Sequence, residues 1–353
     1  MRRKGFCAAV DGFNGLSRRD FIKYGGMTLA ALSLPIGRDE RRAAAFPDAE
    51  RLCRVTEDTI KVYHRPDPES NVLGYKRFDD VLQVYCRVVG TGFHPHNHVW
   101  FETPEGFIWS AYAQPVRNQP NQLLSEIPAE GIWTEVTVPY IDSRTRADPM
   151  APVVYRLYYA MILNVDRIEV GEDGEVWYRV YDENRVVMYA PGWAFRYMPP
   201  EELAPISPEI EDKAIRVRLI RQEMSAFEAG VEVFYCRIST GLYSRALERW
   251  HTPEGQWWTW RKMVSRHMAA GDAYSGFDLP GVGWTILFSS DGAAIHSTYW
   301  HNDYGTPRSH GCVNVRPEDG QWLFRWTTPV LDYKPGDLTM RWPDHGTKVI
   351  VEE

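Results

Sequence analysis

Short runs in which apolar and polar residues alternate dominate this chain. In Lys213–Leu219, Ile215, Val217 and Leu219 alternate with Arg216 and Arg218, the period of two that a half-buried strand requires. Glu228-Ala229-Gly230 predicts a turn, and Val231–Ile238 a second alternating strand that contains Cys236. Upstream, two segments look like distant copies of one another. Each has a Val-Trp-aromatic triplet (Val99-Trp100-Phe101 and Val176-Trp177-Tyr178), a turn, and a closing aromatic strand, Phe107-Ile108-Trp109 or Gly192-Trp193-Ala194-Phe195. Turn signals such as Pro66-Asp67-Pro68 and Gly171-Glu172-Asp173-Gly174 break the runs, and strands this short and closely spaced predict a small barrel or sandwich. Arg117 to Ala129 and Pro199 to Glu211 read as linkers. The run Thr285–Ile295 predicts a strand ending at His296. After it, Pro317 suits the first position of a helix, with Glu318 and Asp319 favourable against its dipole. Trp322, Leu323 and Trp326 would share one face of that helix and pack on a sheet.

A chain of 353 residues has room for two or three domains, and 44% hydrophobic content with 14 tryptophans can fill their cores. At the start, Ser17-Arg18-Arg19-Asp20-Phe21-Ile22-Lys23 resembles the twin-arginine export motif. It is followed by an apolar run from Tyr24 to Pro35 and by Ala43-Ala44-Ala45 as a cleavage site. The apolar run is shorter than the ~20 residues that span a bilayer; an uncleaved leader would tether the protein to the membrane. Residues 1–45 hold nine basic and four acidic residues, so the remainder carries 31 against 43, a net of −12. That balance argues against a nucleic-acid partner, which needs a basic patch. Four cysteines remain after the leader: Cys53, Cys86, Cys236 and Cys312. They could pair outside the cell, although a chain this large does not need disulfides.

The densest chemistry lies in Ala294–Asp319. Cys312 follows Ser309-His310-Gly311 and stands 16 residues after His296. A thiol nucleophile needs a base to take its proton and backbone amides to receive an oxyanion. Glycine lets the backbone approach a reacting carbonyl. The surrounding serine, glycines and proline mark an ordered loop, where catalytic groups tend to sit. His296, Ser309, His310, Gly311, Cys312 and Asn314 together resemble the signature of the YkuD-like L,D-transpeptidases. Ser239-Thr240-Gly241, Thr252-Pro253-Glu254-Gly255 and Pro280-Gly281-Val282-Gly283-Trp284 extend the resemblance over residues 212–353. The preceding copies resemble bacterial SH3-like domains.

The resemblance implies a mainly β chain: a leader at 1–45, two small SH3-like β-barrels at 52–117 and 130–200, and a β-rich catalytic domain with short helices at 212–353. It implies an exported enzyme at the cell wall or the outer face of the cytoplasmic membrane, using the twin-arginine export machinery and acting without a cofactor on peptidoglycan peptide stems. Cys312 would be the nucleophile, His296 the base oriented by the Ser297 carbonyl, and the Gly311 and Cys312 amides the oxyanion donors. His310 would support the loop, base function being its other reading. Tyr299, Trp300 and Tyr304 would form the groove wall. His301 would line the groove or sit solvated in the loop. Asn314, where many relatives have arginine, would hold the loop or the donor carboxylate, and Arg308 would meet the acidic stem or stand exposed.

The reaction so implied is acyl transfer from a tetrapeptide stem to a diamino-acid amine, giving a 3→3 cross-link. Water as acceptor would make the chain an L,D-carboxypeptidase, and a degenerate site would leave a wall-binding protein. A papain-type peptidase places its cysteine before its histidine, the reverse of the order here. His94-Pro95-His96-Asn97-His98 has a composition that can bind zinc, but a polar surface loop explains it equally and no metal is assigned.

Overall fold

The computed structural model describes residues 46–245, 249–271, 276–341 and 343–353; the leader expected over residues 1–45 lies outside them. Nearly all regular structure is β. Among the described residues no helix is long and apolar enough to cross a membrane.

In the first segment Leu52–Val55 pairs antiparallel with Val81–Gln83 and Ala113–Val116. The other strands form a five-stranded sheet in the order Val72–Arg77, Thr59–Tyr63, Gly106–Trp109, Asn97–Thr103, Cys86–His94. The second segment is one seven-stranded sheet with Val153–Tyr158 and Phe195–Tyr197 at its edges. The expected SH3-like β-barrels are therefore not formed: among the described residues no sheet closes on itself.

The side chains explain why. Closure requires one interior, but the first segment has two apolar clusters. Cys53, Val55, Phe101 and Ile108 form one, and Tyr63, Trp100, Trp109 and Ala111 form the other. Neighbouring residues Phe101 and Trp100 point to opposite faces, as pleating demands. In the second segment, Leu157, Met161, Leu163 and Val180 pack with Val282 and Tyr299 from the last third of the chain. Most of that cluster comes from the sheet's own residues, among them Ile132, Val136 and Phe195, with the last third of the chain completing it, while the edge strands Val153–Tyr158 and Phe195–Tyr197 do not pair with each other.

Residues 213–352 contain two five-stranded sheets. One runs Val231–Arg237, Glu223–Glu228, Lys213–Arg218, Lys348–Glu352, Gly255–Trp258, with Lys213–Arg218 and Lys348–Glu352 parallel. Along Lys213–Arg218 buried and half-buried residues alternate strictly, as the period of two requires. The other sheet runs Val313–Val315, Ala294–Ser297, Phe277–Leu287, Arg261–Ala270, Asp337–Thr339. Helix Pro317–Trp326 packs on its strands Phe277–Leu287 and Ala294–Ser297. Leu323, Phe324 and Trp326 are buried with Ile215, Val217, Ile295, Val313 and Val315 in the core, and Trp322 stacks on Phe234 at 4.3 Å. The apolar run before His296 is two strands, Phe277–Leu287 and Ala294–Ser297, instead of one. The Ser289 hydroxyl meets the Asp291 carboxylate and accepts the Ala293 amide at 2.9 Å, turning the chain between them.

The three parts meet through specific polar contacts. Trp133 Nε1 donates to the Tyr333 carbonyl at 2.8 Å, and the Tyr333 hydroxyl donates to the Met198 carbonyl at 2.8 Å. His267 lies between the carboxylates of Asp182 and Asp278. Arg54 is 1% exposed. Its guanidinium reaches Asp79 at 2.8 Å, the Gln114 side chain at 3.0 Å and the Tyr299 carbonyl at 2.5 Å, and lies 4.1 Å from the centre of the Tyr158 ring. Cutting a buried ion pair on one side leaves a charge without its partner, at a cost of about 3–5 kcal/mol. Arg54→Ala should lose stability of that order in urea unfolding, whereas Lys76→Ala, at the exposed Lys76–Glu105 pair, should change it by less than about 1 kcal/mol. Equal effects would show that the buried contact has no special weight.

Candidate active site

The strand Ala294–Ser297 lies parallel to Val313–Val315, with Ile295 opposite Val313 and His296 opposite Asn314. Because side chains alternate across a strand, Ile295, Val313 and Val315 enter the core. Ala294 and Cys312 fall in a small cluster with Met263 and Leu287 on the other face. His296 and Asn314 follow them there, bonded to each other at 3.1 Å. Cys312 thus lies one step along the same face from the His296–Asn314 pair.

The loop that carries Cys312 is held at each peptide. Segment Ser239–Leu242 runs beside it: Ser239 and Asn314 exchange backbone hydrogen bonds at 3.0 and 2.8 Å, and the Ser309 amide donates to the Thr240 carbonyl at 3.0 Å. Gln222 in turn grips Thr240, accepting its amide at 2.8 Å and donating to its hydroxyl at 2.7 Å. Thr252, fully buried, accepts the Gly241 amide at 2.8 Å and donates its hydroxyl to the Gly311 carbonyl at 2.9 Å. A trans peptide points its C=O and N–H in opposite directions, so this contact turns the Cys312 N–H away from Thr252. The Ser309 hydroxyl accepts the Gly311 amide at 3.1 Å and donates to the Cys312 carbonyl at 2.5 Å. Gly311 has φ +143°, and a Cβ there would stand 3.2 Å from the His251 carbonyl oxygen. The bend that presents Cys312 therefore needs glycine.

His296 and His301 end a single polarised chain of hydrogen bonds. The Asp303 backbone N–H donates to His301 Nδ1 at 3.2 Å, so the proton of neutral His301 sits on Nε2 and is donated to Asn314 Oδ1 at 3.1 Å. The Asn314 amide N–H is then directed at His296 Nε2 at 3.1 Å, while His296 Nδ1–H donates to the Ser297 carbonyl at 2.9 Å. A backbone donor at one end and a backbone acceptor at the other fix both tautomers and the amide orientation. Burial lowers the His296 pKa to about 4; the Ser297 carbonyl opposes the fall and the Arg266 charge adds to it. His301 is lowered to about 3, by burial above all, with Asn314 opposing and Arg308 assisting. Burial raises the Cys312 thiol pKa, while the Ala294 backbone and the Arg266 charge pull it back. Both groups are therefore neutral at pH 7, a thiol beside an imidazole.

The remaining sequence-predicted residues divide by burial. Trp300 is half-buried, with its ring 5.8 Å from that of His296. Tyr299 is buried, stacks on Tyr158 at 5.8 Å and donates to the Pro280 carbonyl at 2.9 Å. Tyr304 is buried and bonds the Thr298 hydroxyl at 2.6 Å. These two tyrosines and His301 lie under the loop. Arg308 pairs with Glu57 at 2.7 Å and Asp303 at 3.5 Å. His310 is exposed, its ring 5.3 Å from Phe277. The histidines of the early cluster part ways: His94 stacks on His96, His96 reaches the Thr306 hydroxyl at 3.2 Å, and His98 bonds the Gly90 carbonyl at 3.2 Å. Among the described residues no group of three His, Cys, Asp or Glu side chains is placed to hold a metal ion.

Several contributors, Gln222 among them, were not legible in the sequence. Thr252 stood in a landmark that gave no hint of its contact with Gly311. Arg266 carried no pattern. Arg54 and Glu57 lie about 250 positions from the loop they hold, and sequence spacing is silent at that range.

Residues 212–351 match the family model described as YkuD, the L,D-transpeptidase catalytic domain. No match to a curated protein is found. Among solved structures, the chain is similar to a cysteine-to-serine mutant of the Enterococcus faecium L,D-transpeptidase (25% identity, 41% of this chain and 51% of that one, TM-score 0.30). It is likewise similar to the catalytic domain of the E. faecium enzyme (24% identity, 40% and 97%, TM-score 0.30) and to an L,D-transpeptidase from Mycobacterium smegmatis (15% identity, 54% and 99%, TM-score 0.32). The chain spans about half the length of the first two structures that it matches. Residues 212–351 are a YkuD-like L,D-transpeptidase catalytic domain.

Proposed function

We propose that this chain is an exported peptidoglycan L,D-transpeptidase that forms 3→3 cross-links through a Cys312 thioester. The observation that carries the reading is the locked Ser309–Cys312 loop, which sets a thiol on the same sheet face as an imidazole whose tautomer the Ser297 carbonyl fixes. Cys312 Sγ attacks the carbonyl between the diamino acid and the terminal D-alanine of a tetrapeptide stem. The thiol proton passes to His296 Nε2 as the S–C bond forms. The C–N bond then breaks, and His296 returns the proton to the departing D-alanine amine. A side-chain amine of a neighbouring stem next attacks the thioester, giving the new amide and regenerating the thiol.

The Cys312 amide is the donor we assign to the oxyanion, because the Gly311 amide is already engaged by Ser309. The Arg266 charge favours the thiolate that develops and disfavours imidazolium. Trp300 serves as groove wall beside the base. Arg308 would have to exchange Glu57 or Asp303 for a substrate carboxylate. We further propose that Ser17–Lys23 directs export by the twin-arginine route and that units 52–117, 130–200 and 212–353 fold around separate sheets.

Incubation of the purified chain with a disaccharide-tetrapeptide tests the reaction. Mass spectrometry should find a cross-linked dimer short of one D-alanine, absent with Cys312→Ala. Tripeptide alone would mean that water takes the thioester, making the chain an L,D-carboxypeptidase. Unchanged turnover in Cys312→Ala would refute the nucleophile. A base with a pKa near 4 is unprotonated throughout the neutral range and protonates only as pH falls past that value. The acid limb of kcat/KM should therefore lie near pH 4, leaving the rate level from pH 7 down to about 5. A limb near the ordinary imidazole value of about 6.5 would contradict this assignment of His296.

A further inference from the structure

The polarity of the chain Asp303–His301–Asn314–His296 has a consequence for the base. His301 Nε2–H holds Asn314 Oδ1 at 3.1 Å, and this forces the Asn314 N–H toward the one lone pair of His296 that could accept the thiol proton, also at 3.1 Å. Imidazolium at His296 would direct an N–H at an N–H. Turning the Asn314 amide over would relieve that conflict by presenting Oδ1, but would then set the amide N–H against His301 Nε2–H. His301 cannot change tautomer without losing the Asp303 backbone donor at its Nδ1. All three side chains are buried, at 1–3% exposure, so water does not substitute for a misplaced partner.

We propose that His301 is a positioning residue that, through Asn314, holds His296 as an unprotonated acceptor and keeps the Cys312–His296 pair neutral until an acyl donor is bound. This rests on the assignment of Cys312 and His296 above. During attack the Asn314 N–H must yield Nε2 to the thiol proton. Thiolate thus forms with the new S–C bond and not in advance, and the resting thiol is shielded from oxidation and adventitious acylation. The charges acting on the group are few: Arg266 on both His296 and Cys312, Asp291 on Cys312, and Arg308 on His301. Asp303 lies beside His301 but gives its carboxylate to Thr306 at 3.2 Å and Arg308 at 3.5 Å.

The test is alkylation of Cys312 by iodoacetamide from pH 5 to 9, read at that residue by peptide mass spectrometry in the full chain without any stem substrate. The wild type should show a rate that climbs steadily with pH and has no acid-side shoulder, as for a lone thiol. In His301→Phe the Asn314 amide can turn, accept the imidazolium N–H, and let a thiolate–imidazolium pair form. A shoulder should then appear, with alkylation at pH 6 at least about tenfold faster, the usual worth of a hydrogen bond to a charged group. Asn314→Asp, whose carboxylate accepts that N–H directly, should give the same shoulder and decides the matter if His301→Phe does not fold. His301→Gln, which keeps an N–H for Asn314, should restore the wild-type profile. A shoulder already present in the wild type, or profiles unchanged in both His301→Phe and Asn314→Asp, would overturn the proposal. Because no stem is used, neither result depends on which acyl donor the enzyme takes.

Discussion

One buried guanidinium joins all three parts of this chain at the candidate active-site loop. Arg54 comes from the first strand, borrows Asp79 and Gln114 from its own segment and Tyr158 from the second, and donates to the backbone of Tyr299 in the third. An arginine can do this where a lysine could not, because its planar fork satisfies several acceptors at once. A charge so deeply buried is tolerated only with its partners in place, so loop and sheets are ordered together. Three further contacts tie the first segment to the same loop: Glu57 with Arg308, His96 with Thr306, and Asn302 with the Ser110 carbonyl. At Gly305 a Cβ would stand 2.3 Å from His96, so the loop passes close beneath the first segment.

From Tyr299 the constraint passes along the loop to His296. Trp300 follows it and packs against the His296 ring, and His301 begins the hydrogen-bond chain to His296. The face that carries His296 and Cys312 is therefore set from two sides. Thr252, Gln222 and Ser309 hold the peptides around Cys312 from within the catalytic domain, while the preceding segments hold the loop that carries the groups beside His296.

Much of the catalytic domain could be read directly. The alternation of Ile215 and Val217 with arginines requires a half-buried strand, and Pro317 with two acids opens a helix whose Leu323 and Trp326 reach the core. The spacing of His296 and Cys312 was informative because the motif is local. The barrels failed for a physical reason: alternation says that a strand has two different faces, not whether its apolar face will meet its own sheet or another. Trp100 beside Phe101 looked like one barrel wall but fills two clusters. Tyr299, Tyr304 and His301 are buried beneath the loop, a depth that the residue type of a loop aromatic does not disclose. Arg308 read as a spare cation because Glu57, its partner, lies 251 residues away in sequence.

The proposed reaction needs His296 kept neutral by a polarised set of side chains, and imidazole nitrogen NMR shifts report this most directly. With 15N-labelled histidine, His296 should remain neutral at pH 6 with its proton on Nδ1, and His301 should be neutral with its proton on Nε2. An imidazolium signal from His296 at that pH, or the opposite tautomer at either ring, would contradict it.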